Sequence, residues 1–190
     1  MESLLVSTGV VAVSEIGDKT QLLALLLASR FRQPVPIILG ILVATVLNHA
    51  IAALAGSWVA AALNPAWLTW IVGLLFLGMA LWALVPDKIE AEEVRNTAAG
   101  GAFLATAVAF FLTEMGDKTQ IATAALAARF ETVVPVVIGT TAGMMIADVP
   151  AVLFGHAAAD RIDPRWVRLI AAAIFAILGL TVLLGDRLFG

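Results

Sequence analysis

Six long apolar stretches, near residues 4–29, 35–56, 66–85, 99–128, 133–155 and 166–185, decide what this chain can become. Each has at least the ~20 residues that an α-helix needs to cross the hydrocarbon of a bilayer. In lipid, a helix or a closed barrel is the only way to satisfy the backbone internally. The 190 residues are 62% hydrophobic and 13% charged, against about 25% charged in a soluble domain. A soluble fold is excluded. The expected class is all-α, a polytopic membrane protein with six transmembrane helices, short loops and no extramembrane domain. The first stretch lacks a basic leader region and a small-residue cleavage site and contains Glu15, Asp18 and Lys19, so it reads as a retained span rather than a signal peptide.

The second constraint is a duplication. Ser14-Glu15-Ile16-Gly17-Asp18-Lys19-Thr20-Gln21 recurs as Thr113-Glu114-Met115-Gly116-Asp117-Lys118-Thr119-Gln120, 99 positions later, and the alignment continues without a gap. Arg30-Phe31 matches Arg129-Phe130, Pro36 matches Pro135, Gly40 matches Gly139, Gly56 matches Gly155 and Trp67 matches Trp166. The expected organisation is repeat one over 1–85, a charged cytoplasmic linker over 86–98 and repeat two over 99–190. Three spans per repeat force the second copy into the membrane upside down, giving two inverted three-helix repeats as in many secondary transporters.

The basic residues orient this arrangement. With the N-terminus outside, Arg30, Arg32, Lys88, Arg95, Arg161, Arg165 and Arg168 fall on the cytoplasmic side, and only Arg129 and Arg187 fall outside. That imbalance predicts both termini outside. Tryptophans 58, 67, 70, 82 and 166 mostly lie near span ends and read as interface anchors. Glu90, Glu92 and Glu93 read as a solvated linker, and His156 as interfacial.

Chemistry concentrates in the repeated motif, because Glu15 and Glu114 fall near the middle of their spans, where a carboxylate costs ~2.5–3.5 kcal/mol on insertion scales. If each motif is helical, residues three and four apart share a face, so Glu15, Asp18 and Lys19 project together, as do Glu114, Asp117 and Lys118. Antiparallel repeats can then bring four carboxylates and two ammoniums together at the midplane, with a net charge that a divalent cation neutralises. Thr20, Gln21, Thr119 and Gln120 add neutral oxygens or supporting hydrogen bonds. Such an all-oxygen set suits hard cations such as Ca²⁺, Mn²⁺ or Mg²⁺, and with no cysteine in the chain a thiolate site is excluded. Gly17 and Gly116 permit either local unwinding that frees carbonyls or close approach of a neighbouring helix. Lys19 and Lys118 read as charge partners for the acids, with direct involvement in transport as the alternative.

Asp148 in the fifth span is matched by His49, preceded by Asn48. Polar groups at one place in both repeats serve either gating or proton relay, or form a satisfied buried pair. Gly139-x-x-x-Gly143, matched by Gly40-x-x-x-Ala44, reads as helix packing.

On these two complete motifs the sequence resembles a family of small six-span membrane proteins defined by paired Glu-x-Gly-Asp-(Lys/Arg)-(Ser/Thr) motifs, including Golgi and chloroplast manganese/calcium transporters and bacterial manganese exporters. The resemblance covers essentially the whole chain. It implies divalent-cation transport in exchange for protons, with Glu15, Asp18, Glu114 and Asp117 as metal ligands and alternating access as the mechanism. It implies no enzyme activity and no cofactor: Mn²⁺ or Ca²⁺ is the transported substrate, and the motifs do not choose between them. The expected partners are the metal ion, protons and the lipid bilayer, with a homo-oligomer compatible, and the expected location is a bacterial inner membrane. No basic block exists for nucleic acid to bind.

Rival classes are an exporter of a small organic cation such as a basic amino acid, an intramembrane aspartyl protease and a purely structural subunit. An organic cation needs aromatic walls, and only Phe110 and Phe111 are close. The protease needs two distinct Asp motifs rather than one duplicated motif. A structural role leaves the duplicated charges without a reason.

Overall fold

The computed structural model describes residues 1–86, 101–154 and 164–188. They form eight helices and, among the described residues, no strand: α1 (Glu2–Glu15), α2 (Lys19–Phe31), α3 (Pro34–Ala62), α4 (Pro65–Ala83), α5 (Gly101–Glu114), α6 (Lys118–Phe130), α7 (Val134–Phe154) and α8 (Pro164–Leu188). The linker residues Lys88, Glu90, Glu92, Glu93 and Arg95 lie outside the described residues, as do Gly155, His156 and Arg161. Four helices are long and apolar enough to cross a membrane: α3, α4, α7 and the Arg165–Gly185 part of α8. The stretches 4–29 and 99–128 differ from the expectation of continuous spans. Each is a pair of shorter helices, α1–α2 and α5–α6, broken inside the repeated motif.

Local chemistry sets the remaining ends. Arg32 and Glu131 adopt left-handed φ values of 54° and 51° just past α2 and α6, which turns the chain back within a few residues. Pro34 then opens α3, where its missing N–H is no loss. Pro65 opens α4 behind Asn64, whose side-chain oxygen accepts from the Ala66 N–H at 2.9 Å.

Packing is mainly between the two sequence repeats. Gly139 lies against Leu4 and Ser7, and Gly143 against Thr8, Val11 and Ala12, so α7 runs alongside α1 in the same direction. Gly40 lies against Phe103 and Thr106 and Asn48 bonds to Phe111, so α3 runs parallel to α5 in the equivalent way. Helices α4 and α8 are antiparallel, with Gly73 against Leu183 and Gly179 against Leu77. Phe76 and Phe175, which occupy equivalent places in the two repeats, stack at 6.4 Å between ring centroids.

The equivalence is not complete. The α4–α8 pair rests on α6 and α1, forming one apolar cluster around Phe76, Phe175, Leu126 and Val10. The counterpart contacts, α8 on α2 and α4 on α5, have no comparable packing among the described residues. A second cluster joins α2, α3, α5 and α7 around Leu23, Leu27, Ile37, Ile41 and Phe110. The interior also holds polar side chains such as Thr45, Thr106 and Thr140, while Leu81, Trp58, Trp67 and Trp166 face outward. That distribution is the one a bilayer imposes, where the exterior must be apolar and polar groups must find partners inside.

Candidate metal centre

The break at each motif is a turn that favours glycine. Ile16 has φ −64° and ψ 117°, Gly17 has φ 80°, and the Asp18 N–H donates to the Glu15 carbonyl at 3.0 Å. These are the angles and the closing bond of a type II turn, whose third residue must tolerate positive φ. Gly116 repeats it at φ 78°, with the Asp117 N–H donating to the Glu114 carbonyl at 3.2 Å. Each turn is braced by the glutamine four residues on: the Gly17 N–H donates to Gln21 Oε1 at 2.9 Å and the Gly116 N–H to Gln120 Oε1 at 2.7 Å. The outward ends of these carboxamides tie the turns to the long helices. Gln21 Nε2 donates to the Ala147 carbonyl at 3.0 Å and Gln120 Nε2 to Asn48 Oδ1 at 3.4 Å.

Helical projection of Glu15, Asp18 and Lys19 from one face is therefore corrected. Glu15 is the last residue of α1 and Asp18 precedes the first of α2, because positive φ at Gly17 ends the helix between them. The helix is unwound at each motif, but the Glu15 and Glu114 carbonyls accept the Asp18 and Asp117 N–H groups instead of standing free as ligands. The effect of the unwinding is to separate the acids of each motif and deliver them to different partners in the other repeat. Lys118 Nζ lies 2.8 Å from Asp18 Oδ1, and Lys19 Nζ lies 3.3 Å from Asp117 Oδ1 while donating to the Thr113 carbonyl at 2.8 Å. Both lysines are thus charge partners across the repeats, as intramembrane charges require.

Three of the four motif acids converge. Glu15, Glu114 and Asp117 are buried, and each offers a carboxylate oxygen within 4.8 Å of those of the other two. Asp18 is not part of this group and stands with Lys118 instead. Thr20 donates to Glu15 Oε2 at 2.5 Å and Thr119 to Glu15 Oε1, so both motif threonines orient Glu15. Both oxygens of Glu114 lack a hydrogen-bond partner among the described residues. The glutamines brace the turns, their oxygens accepting the Gly17 and Gly116 N–H groups.

Asn48 is a bracket, donating to the Phe111 carbonyl at 3.0 Å while accepting from Gln120. His49 and Asp148 are both fully buried, and neither ring nitrogen nor either carboxylate oxygen has a hydrogen-bond partner among the described residues. A satisfied polar pair is not what the structure contains. A narrow cleft lined by Ser14, Gly17, Asp18, Lys118, Arg168 and Phe175 leads from the α8 N-terminal end to the Asp18–Lys118 pair. At the opposite end, a cleft of about 380 Å³ between α4, α6 and α8 is lined by Arg129 and Glu131 but by none of the motif residues.

Oxygen donors gathered from two halves of the chain have the chemistry that suits a hard cation such as Mn²⁺ or Ca²⁺. The family model described as divalent cation/proton antiporter GDT1 matches residues 3–91 and 102–188. A Vibrio cholerae protein named "Putative manganese exporter" is 48% identical over 95% of this chain and 90% of its own length. The Arabidopsis thaliana "GDT1-like protein 4" is 31% identical over 88% of this chain and 89% of its own, and the Oryza sativa subsp. japonica "GDT1-like protein 3" is 30% identical over 92% and 71%. No solved structure matches the chain. The organic-cation exporter and aspartyl protease readings gain no support. The chain belongs to the GDT1 family of divalent cation/proton antiporters, which are transporters and not enzymes.

Proposed function

We propose that this protein exports Mn²⁺, with Ca²⁺ as a second substrate, in exchange for protons across a bacterial inner membrane, using Glu15, Glu114 and Asp117 as ligands. The observation that carries this reading is the meeting of those three buried carboxylates, drawn from both repeats, within 4.8 Å. Asp18 acts beside them by holding Lys118, and Lys19 holds Asp117. The manganese-exporting assignment of the Vibrio cholerae relative supports Mn²⁺ as the first substrate.

The six spans are α1–α2, α3, α4, α5–α6, α7 and α8, in two inverted repeats with both termini outside. Parallel packing of α1 with α7 and of α3 with α5, and the antiparallel α4–α8 pair, support this inversion. Under that topology the cleft beside Arg168 opens to the cytoplasm and reaches the motif, whereas the outer cleft stops short of it. Metal enters from the cytoplasm, binds between the repeats and leaves when the halves exchange roles. Coupling is competition: a carboxylate oxygen carries either a metal ion or a proton, so protons arriving from outside release the metal there and return inward on the same oxygens.

Purified protein in liposomes tests this directly. An inward Mn²⁺ gradient is expected to drive Mn²⁺ uptake with proton release, and an imposed outward proton gradient is expected to drive Mn²⁺ in against its own gradient. Glu15→Gln and Glu114→Gln, which keep size and remove a charge, abolish both. Ion flux without proton movement would identify a channel, and uptake of arginine in place of metal would identify an organic-cation carrier.

A further inference from the structure

Five buried acids surround the break between the repeats, and two of them are accounted for by lysines. Asp18 pairs with Lys118 and Asp117 with Lys19. Glu15, Glu114 and Asp148 remain, all fully buried, and no cationic side chain is paired with them among the described residues. Glu15 is at least oriented by Thr20 and Thr119. Glu114 and Asp148 have no hydrogen-bond partner on any of their four carboxylate oxygens among the described residues. Buried polar atoms are almost always satisfied, and an acid left bare in a membrane interior is costly unless something binds it.

The register places Asp148 at the motif. Helix α7 runs with α1, Gly143 lying beside Thr8 and Ala12, so five residues further on α7 reaches the level of Glu15. Gln21 fixes that level by donating to the carbonyl of Ala147 at 3.0 Å. Asp148 also lies within electrostatic range of Glu15 and of Glu114.

We infer that Asp148 is a further metal ligand, which binds the transported cation together with Glu15, Glu114 and Asp117. The inference rests on the site proposed above. It replaces Asp18, which the motif alone nominates, with an acid that lies outside the motif and whose oxygens are unclaimed. A hard divalent cation takes six or more oxygens, and a fourth carboxylate brings the protein's share closer to that number. Neither Asp148 nor His49, its equivalent in repeat one, belongs to the three groups whose oxygens already lie within 4.8 Å of one another; Asp148 is the member of the pair that lies within electrostatic range of Glu15 and Glu114, and His49 is not.

Equilibrium Mn²⁺ binding to the purified full chain in detergent, read from the loss of the free-ion electron paramagnetic resonance signal, tests this without requiring transport. Asp148→Asn is expected to weaken binding at least about tenfold, as removal of groups supporting a metal does elsewhere, and Glu114→Gln comparably. Asp18→Asn is expected to weaken it less than Asp148→Asn. A gating residue or a structural one leaves equilibrium affinity in place, so wild-type affinity in Asp148→Asn beside a loss in Glu114→Gln overturns the inference and spares the site. Wild-type affinity in Glu15→Gln and Glu114→Gln as well overturns both. Asp148→His supplies a gain of signal that does not depend on lost affinity: electron spin-echo modulation from ¹⁴N on bound Mn²⁺ is expected to exceed that of the unaltered protein. No added modulation on a folded, Mn²⁺-loaded Asp148→His protein overturns the inference.

Discussion

Glycine at positions 17 and 116 shapes the motif, because positive φ there ends one helix and starts the next at a carboxylate. A Cβ at Gly116 meets nothing within 4 Å, so the cost of Gly116→Ala is conformational alone, about 1–2 kcal/mol. Thermal unfolding in detergent is expected to show that loss, and Mn²⁺ uptake is expected to fall with it as the turn relaxes. The acids, lysines and threonines of the site were legible in the sequence from the duplication. The separation of Asp18 from the other three was not, because helical spacing assumes an unbroken helix. The signal that could have revealed the turn is the glutamine four residues after each glycine, whose carboxamide takes the freed N–H. The lysines make a second prediction. Lys118 is 7% exposed against 23% for Lys19, so Lys118→Met breaks the more deeply buried of the two ion pairs and is expected to cost about 3 kcal/mol or more. Lys19→Met is expected to cost less, and Asp18→Asn in the Lys118→Met background to recover most of the loss, both read from melting temperatures.

At the scale of helices, small residues set how closely the repeats approach. A Cβ on Gly143 would lie 2.7 Å from the Thr8 carbonyl oxygen and 2.8 Å from the Ala12 nitrogen, and backbone cannot swing aside as a side chain can. Gly143→Ala is therefore expected to destabilise by roughly 1–3 kcal/mol. Gly9→Ala, where a Cβ meets nothing within 4 Å, is expected to be neutral or to stabilise by up to about 1 kcal/mol. Comparing the two melting temperatures checks that it is contact, and not glycine content, that matters. The Gly139-x-x-x-Gly143 and Gly40-x-x-x-Ala44 stripes were readable as packing surfaces, but not which helices they meet. Spacing along one helix marks a face as small. It carries no information about the partner, which here comes from the other repeat in both cases.

Across the whole molecule, the departure from equivalence is informative. Helix α8 lies beside α1 along a groove lined by Gly9, Val13 and Ile174, whereas the corresponding surfaces on α5 and α4, at Val108 and Leu75, are 42% and 37% exposed. In the alternating access proposed above, exchange of the halves would move the α4–α8 pair from α1 towards α5. In this chain without cysteine, Gly9→Cys with Ile174→Cys is expected to cross-link in the arrangement described, and Leu75→Cys with Val108→Cys only after the exchange, with a yield that Mn²⁺ and pH alter in opposite senses for the two pairs. Equal yields under all conditions would remove the rocking motion. The stacked rings of Phe76 and Phe175 join the two helices of the α4–α8 pair, each being the other's counterpart. A protein duplicated without difference would then be a balanced scale, with its two facing states equal in free energy. His49 set against Asp148 is the unequal weight: a carboxylate stands at one place and an imidazole at its counterpart in the other repeat. A difference of 1.4 kcal/mol is already about tenfold in population, so this single mismatch is enough to give an otherwise reversible carrier a preferred resting side.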